Sequence, residues 1–114
     1  GIDQVWIEDV WHEKFRKPAD PLDHGTGYTS EQVAAFRSDS KSLLAYYDVV
    51  HEKTIEYLKT LTEGDLDREL NEPEWTPLPT VGVRLISVME DNVQHAGQIS
   101  YIRGMVENRH WFPA

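Results

Sequence analysis

Two residues of the last apolar-patterned segment have the types and the spacing of a metal-ligand pair. Asp91 and His95 stand four positions apart in the stretch EDNVQHAGQ. On an α-helix, side chains at i and i+4 lie one turn apart on the same face. A carboxylate oxygen and an imidazole nitrogen placed there can reach one divalent ion. A metal held this way, with open positions for water or substrate, polarises a carbonyl or acidifies bound water or a bound thiol. A solvated ion pair is the commoner fate of such spacing, so the pair alone does not establish a site.

No other nucleophile system accompanies it. The chain has no cysteine, which removes disulfides, thiolate zinc sites and a catalytic Cys. Any metal must therefore be held by His, Asp, Glu and water. Of the five His, His12, His24 and His110 read as structural or solvent-facing, whereas His51 lies beside an apolar stripe and is the internal candidate for a third ligand. Gln98 could orient a metal-bound group, and Tyr47 and Arg103 could line a pocket, Arg103 by pairing with a substrate carboxylate. Helix-surface solvation, core packing and ordinary ion pairing are the competing roles for these three.

The elements that would carry these residues are helical. Apolar residues from Ile2 to Phe15 recur at roughly helical spacing and predict a helix over Ile2 to about Lys17, ended by Pro18 and Pro21. A short helix follows over Glu31–Arg37, then a Ser-Asp-Ser break at 38–40 that can cap the next helix. Leu43, Tyr47, Val50, Thr54, Leu58 and Leu61 share one face of a helix running from about Lys41 to Leu61. A turn through Leu70 and a segment with three prolines (71–80) lead to Thr80, a fitting N-cap for a last helix from about Val81 to Glu107. The aromatic pair in the tail, Trp111-Phe112, is expected to dock on the body. The pattern predicts an all-α, up-and-down bundle with three long helices and short connecting helices in a single domain of 114 residues.

A formal net charge of −9 argues against nucleic acid and anionic membrane surfaces as partners, because both demand a basic face. No apolar run approaches a membrane span and no secretory signal pattern is present, so the expected location is the cytoplasm.

The surroundings of the pair give it a family context. His95-Ala96-Gly97-Gln98, with Arg103-Gly104 after it and Pro79-Thr80-Val81-Gly82 before it, resembles the last-helix signature of the DinB-like superfamily of four-helix bundles. Residues 43–70 resemble that family's third helix and following turn, and residues 1–11 the later part of its second. The resemblance spans nearly the whole chain and is most specific over 79–104. It implies a metal site of three ligands, one His from the second helix and two residues from the last. His95 matches the final ligand. Asp91 matches the middle one, which is His in many members and Glu in the mycothiol-dependent branch. The position of the first His falls about three residues ahead of Gly1, so the chain is expected to be N-terminally incomplete. The resemblance implies a metal-dependent transferase or hydrolase on small molecules, with a low-molecular-weight thiol as cosubstrate and Zn, Ni or Fe as the ion. The alternative is a non-catalytic binding module with a degenerate, empty site. A bundle short of one helix leaves an apolar groove, so a homodimer is expected.

Overall fold

The computed structural model describes residues 4–108, and these fold almost wholly as helix. The elements are α1 (Val5–Glu8), α2 (Trp11–Lys14), α3 (Ser30–Ala35), α4 (Ser40–Thr60), a 3-10 turn (Glu63–Asp67) and α5 (Val81–Glu107). The β-type pairing among the described residues is one isolated antiparallel bridge between Glu69 and Thr80. The all-α class expected from the sequence holds. The chain forms two compact units, Gly1–Thr60 and Leu61–Ala114.

The first unit departs from expectation at its start. The continuous helix predicted to Lys17 is two single-turn helices, broken where Val10 takes a left-handed conformation (φ 50°). A β-branched residue there is strained, at a cost of order 1–3 kcal/mol. The gain is a change of aim. On an unbroken helix Val5 and Trp11 would sit six residues apart, roughly 120° from one another around the axis. With the break, Val5, Trp11 and Phe15 all bury together. Trp6, Tyr46 and Val49 pack against them, with Tyr46 5.4 Å from the Trp11 ring and 5.7 Å from both Trp6 and Phe15. Aromatic rings at such distances add edge-to-face attraction to the area they bury. Burial raises the Tyr46 phenol above its ordinary pKa. One cost stays visible: the Trp6 indole Nε1 is buried with no hydrogen-bond partner among the described residues, which costs about 1–3 kcal/mol.

The caps follow the sequence closely. Thr29 accepts from the Gln32 amide while the Gln32 side chain accepts from the Thr29 amide, a reciprocal capping box that starts α3 at Ser30, one residue earlier than expected. Asp39 supplies the cap in the Ser-Asp-Ser break, accepting from Ser42 N at 2.9 Å and Ser42 Oγ at 2.7 Å. α4 presents Tyr46 and Val49 to the aromatic cluster rather than the stripe through Leu43, Tyr47 and Val50, which is exposed.

In the second unit, Thr62 and Asp65 form another capping box, and Thr80 caps α5 through Val83 N at 3.3 Å. The chain is drawn back to this point by Leu70 N donating to Pro79 O at 2.8 Å and Val81 N to Arg68 O at 3.1 Å. Gly82 has a steric reason: a Cβ there would stand 3.2 Å from the Leu66 carbonyl oxygen, so the 3-10 turn lies directly on the start of α5. The three-proline connection is held by Arg84, which hydrogen-bonds Glu72 and lies 5.2 Å from the Trp75 ring centroid. Beyond Leu85, α5 leaves its apolar side chains exposed, among them Ile86, Val93, Ile99 and Ile102. The aromatic tail pair and His110 lie outside the described residues.

Candidate metal centre

α5 runs unbroken over 27 residues, so the i,i+4 geometry expected of Asp91 and His95 is realised. His95 Nε2 lies 3.6 Å from Asp91 Oδ2, and both side chains are about two-thirds exposed. At 3.6 Å this is not a hydrogen bond. It is close to the separation of two donors on one ion, roughly 3.3 Å for tetrahedral bonds of 2.0–2.1 Å. The other ring nitrogen, Nδ1, is 2.9 Å from Gln98 Oε1, one turn further along α5. In the tautomer with the proton on Nδ1, the ring donates to this amide oxygen and Nε2, on the side of Asp91, carries the lone pair. That arrangement matches the general pattern of metal-binding histidines, whose second nitrogen donates to an oxygen that fixes ring and tautomer. The donor set, one carboxylate oxygen and one imidazole nitrogen, suits a divalent ion of the zinc, nickel or iron type.

Among the described residues no group of three or more His, Asp or Glu side chains is assembled for a metal. His51 is exposed on α4 and stacks on Tyr47, ring centroids 5.8 Å apart and planes 12° from parallel. Tyr47 itself is exposed. Arg103 directs its Nε at both carboxylate oxygens of Glu107, at 3.3 and 3.1 Å, the ion-pair alternative to a substrate contact. A Cβ on Gly97 would meet open space among the described residues. Of the other described histidines, His12 lies edge-on to Trp6 at 6.4 Å, and His24 Nδ1 is 2.9 Å from Thr26 Oγ1. Gln98, expected either to orient a metal-bound group or to be solvated on the helix surface, contacts the His95 ring. The signal for that contact was the His-x-x-Gln spacing, since i and i+3 share a helix face.

No helix among the described residues is long and apolar enough to cross a membrane.

The family model for mycothiol-S-transferase matches residues 1–108. Among solved structures, the chain is similar to a conserved protein from Enterococcus faecalis, with a TM-score of 0.79 and 31% sequence identity over 94% of this chain. The match spans 63% of that longer protein. No curated protein matches the sequence. The coverage of the family match, together with the shared helical fold, places the chain in the mycothiol-S-transferase family of DinB-like proteins.

Proposed function

We propose that Asp91 and His95 bind a divalent metal ion and that the protein acts as a metal-dependent transferase using a low-molecular-weight thiol. The observation that carries this reading is the His95–Gln98 contact. With the proton on Nδ1, it gives the His95 imidazole the outer oxygen partner that metal-binding histidines usually have, which supports the reading. A bound ion supplies Lewis acidity, lowering the pKa of a thiol or water at an open position. The chain's own residues have simpler tasks. Asp91 and His95 supply donors, Gln98 holds the ring, and Arg103 and Tyr47 are the side chains for substrate contact. His51 is the candidate within the chain for the third ligand. The two units act together as one functional domain, as the family match across 1–108 supports. The proposed location is the cytoplasm, where small thiols are kept reduced.

A homodimer belongs to the same proposal. Apolar side chains on both long helices are exposed, including Leu44, Tyr47, Ile86, Met89, Val93 and Ile99. Exposed apolar side chains in such number on each unit favour an interface. Light scattering giving the mass of a single chain would remove the dimer from the proposal.

The test of the metal is elemental analysis of the purified protein beside Asp91→Ala and His95→Ala. The parent should carry a stoichiometric divalent ion and each variant a small fraction of it. Equal metal in all three would end the assignment. A second reading, a binding module without catalysis, draws on the two-ligand set among the described residues and on the Asp where the mycothiol-dependent branch has Glu. It predicts substoichiometric metal in the parent and no consumption of thiol when a small electrophile is supplied.

A further inference from the structure

The Gly1–Thr60 unit contains a second group of chemically able side chains, apart from the candidate metal pair. A cleft of about 310 Å³ opens between the end of α2, the loop 18–28 and α3. Its walls are mainly carbon, from Trp6, Val33, Phe36 and the Tyr28 ring. A volume near 300 Å³ is at the lower end for small-molecule sites.

The polar groups at this cleft are arranged as a short chain. Lys17 Nζ donates to the Tyr28 hydroxyl at 2.7 Å, and that hydroxyl donates to Asp23 Oδ1. All three side chains are half-buried. The ammonium also lies over two rings, 4.3 Å from the Tyr28 centroid and 5.5 Å from that of Phe36. Cation–π attraction holds it at the apolar wall instead of letting it extend into solvent. An ammonium has three donors, and Lys17 spends one of them among the described residues. Asp23 likewise has its Oδ2 without a hydrogen-bond partner among the described residues. The result is a fixed positive donor and a fixed negative acceptor, one hydroxyl apart, at the edge of an apolar cleft.

That arrangement selects among ligands. A simple carboxylate would gain Lys17 but be repelled by Asp23. An amine would gain Asp23 and be repelled by Lys17. A small zwitterion satisfies both, its carboxylate on Lys17 and its ammonium on Asp23, with an apolar side chain against Trp6, Val33 and Phe36. We propose that this cleft binds an apolar α-amino acid as its zwitterion. Gly25, in the left-handed region (φ 89°) with open space where a Cβ would stand, gives the loop the bend that leaves the cleft open beside Asp23 and His24.

The competing account is a loop staple, in which Lys17–Tyr28–Asp23 only ties the loop to the helices. Saturation-transfer NMR and calorimetry on the full chain separate the two, with L-phenylalanine, 3-phenylpropanoate and 2-phenylethylamine as probes. L-Phenylalanine should bind, and each singly charged analogue should bind at least tenfold more weakly. Lys17→Met should weaken L-phenylalanine binding tenfold or more. Val33→Trp, which fills the cleft from α3 without touching the polar chain, should abolish it while leaving the thermal midpoint near that of the parent. No transfer to L-phenylalanine at millimolar concentration would overturn the proposal. Equal binding of 3-phenylpropanoate, or undiminished binding to Val33→Trp, would overturn it as well.

Discussion

The first unit and the last helix of this protein spend their side chains in opposite ways. In Gly1–Thr60 the chain breaks a helix, strains Val10 and buries the Trp6 indole N–H without a partner among the described residues, while Val5, Trp11 and Phe15 meet Tyr46. Along α5 the helix is regular, and buries only Val81. The aromatic cluster is packing achieved at the expense of regular backbone. The last helix is regular backbone that keeps its chemical residues in the open. Regularity gives a ligand pair its spacing, whereas irregularity lets residues of unsuitable spacing converge.

The largest expected effect is in the aromatic cluster. Trp11→Ala should cost about 3–5 kcal/mol, because truncating a buried aromatic loses its transfer energy and leaves a cavity. Urea denaturation reads this as a lower midpoint; a loss under about 1 kcal/mol would show that the cluster is not what holds the unit. Next in size is Gln98→Ala, which should leave the unfolding midpoint in place while weakening metal affinity about 10–100-fold, the usual result of removing the oxygen that orients a ligating His. A competition titration with a chromophoric chelator measures it. If affinity is unchanged, Gln98 is surface decoration and the contrast between packed and chemical regions loses its second half. Thr80→Ala removes the α5 cap and should cost about 1 kcal/mol, with Thr80→Ser close to neutral. The smallest effect is on pH. Hydrogen bonds from Ser42 hold Asp39 below its ordinary pKa, and those from Thr62 do the same for Asp65. A depressed folded-state value means that the stability these caps contribute is present above the ordinary carboxylate pKa and is lost as pH falls through the folded one. Denaturation midpoints should therefore decline below about pH 4, and less steeply in Asp39→Asn.

What the sequence revealed divides along the same line. α5 was legible almost to the residue, with its Thr80 cap and the Asp91–His95 spacing, because a long helix with a clear cap is set by local rules. α4 came within one residue at each end for the same reason. The break at Val10 was not legible. A Val carries no turn signal, and the apolar spacing from Ile2 to Phe15 fits a helix well enough to hide it; only the tertiary pull of Tyr46 makes the break worthwhile. The packing face of α4 was misjudged by one step around the helix, since Tyr46 and Tyr47 are equally apolar in a pattern and only the partner decides between them. For the candidate site, the ligand spacing was readable, and the His-x-x-Gln spacing allowed the Gln98 contact without distinguishing it from a side chain turned to solvent. The Lys17–Tyr28–Asp23 chain was invisible in sequence, being a product of a loop that folds back on itself.

Gly82 gives α5 a phase as well as a starting point. At about 100° per residue, the nine steps from Gly82 to Asp91 turn the helix through two and a half revolutions. The side pressed against the Leu66 carbonyl and the side bearing Asp91 therefore point to opposite quarters of the compass. The turn region acts as a keyway that sets the rotational angle of the helix while standing clear of its chemical face. Length changes in the proline-rich connection, which precedes this key, should leave the bearing of Asp91 and His95 untouched. A single residue inserted between Gly82 and Asp91 would swing both by more than a quarter turn.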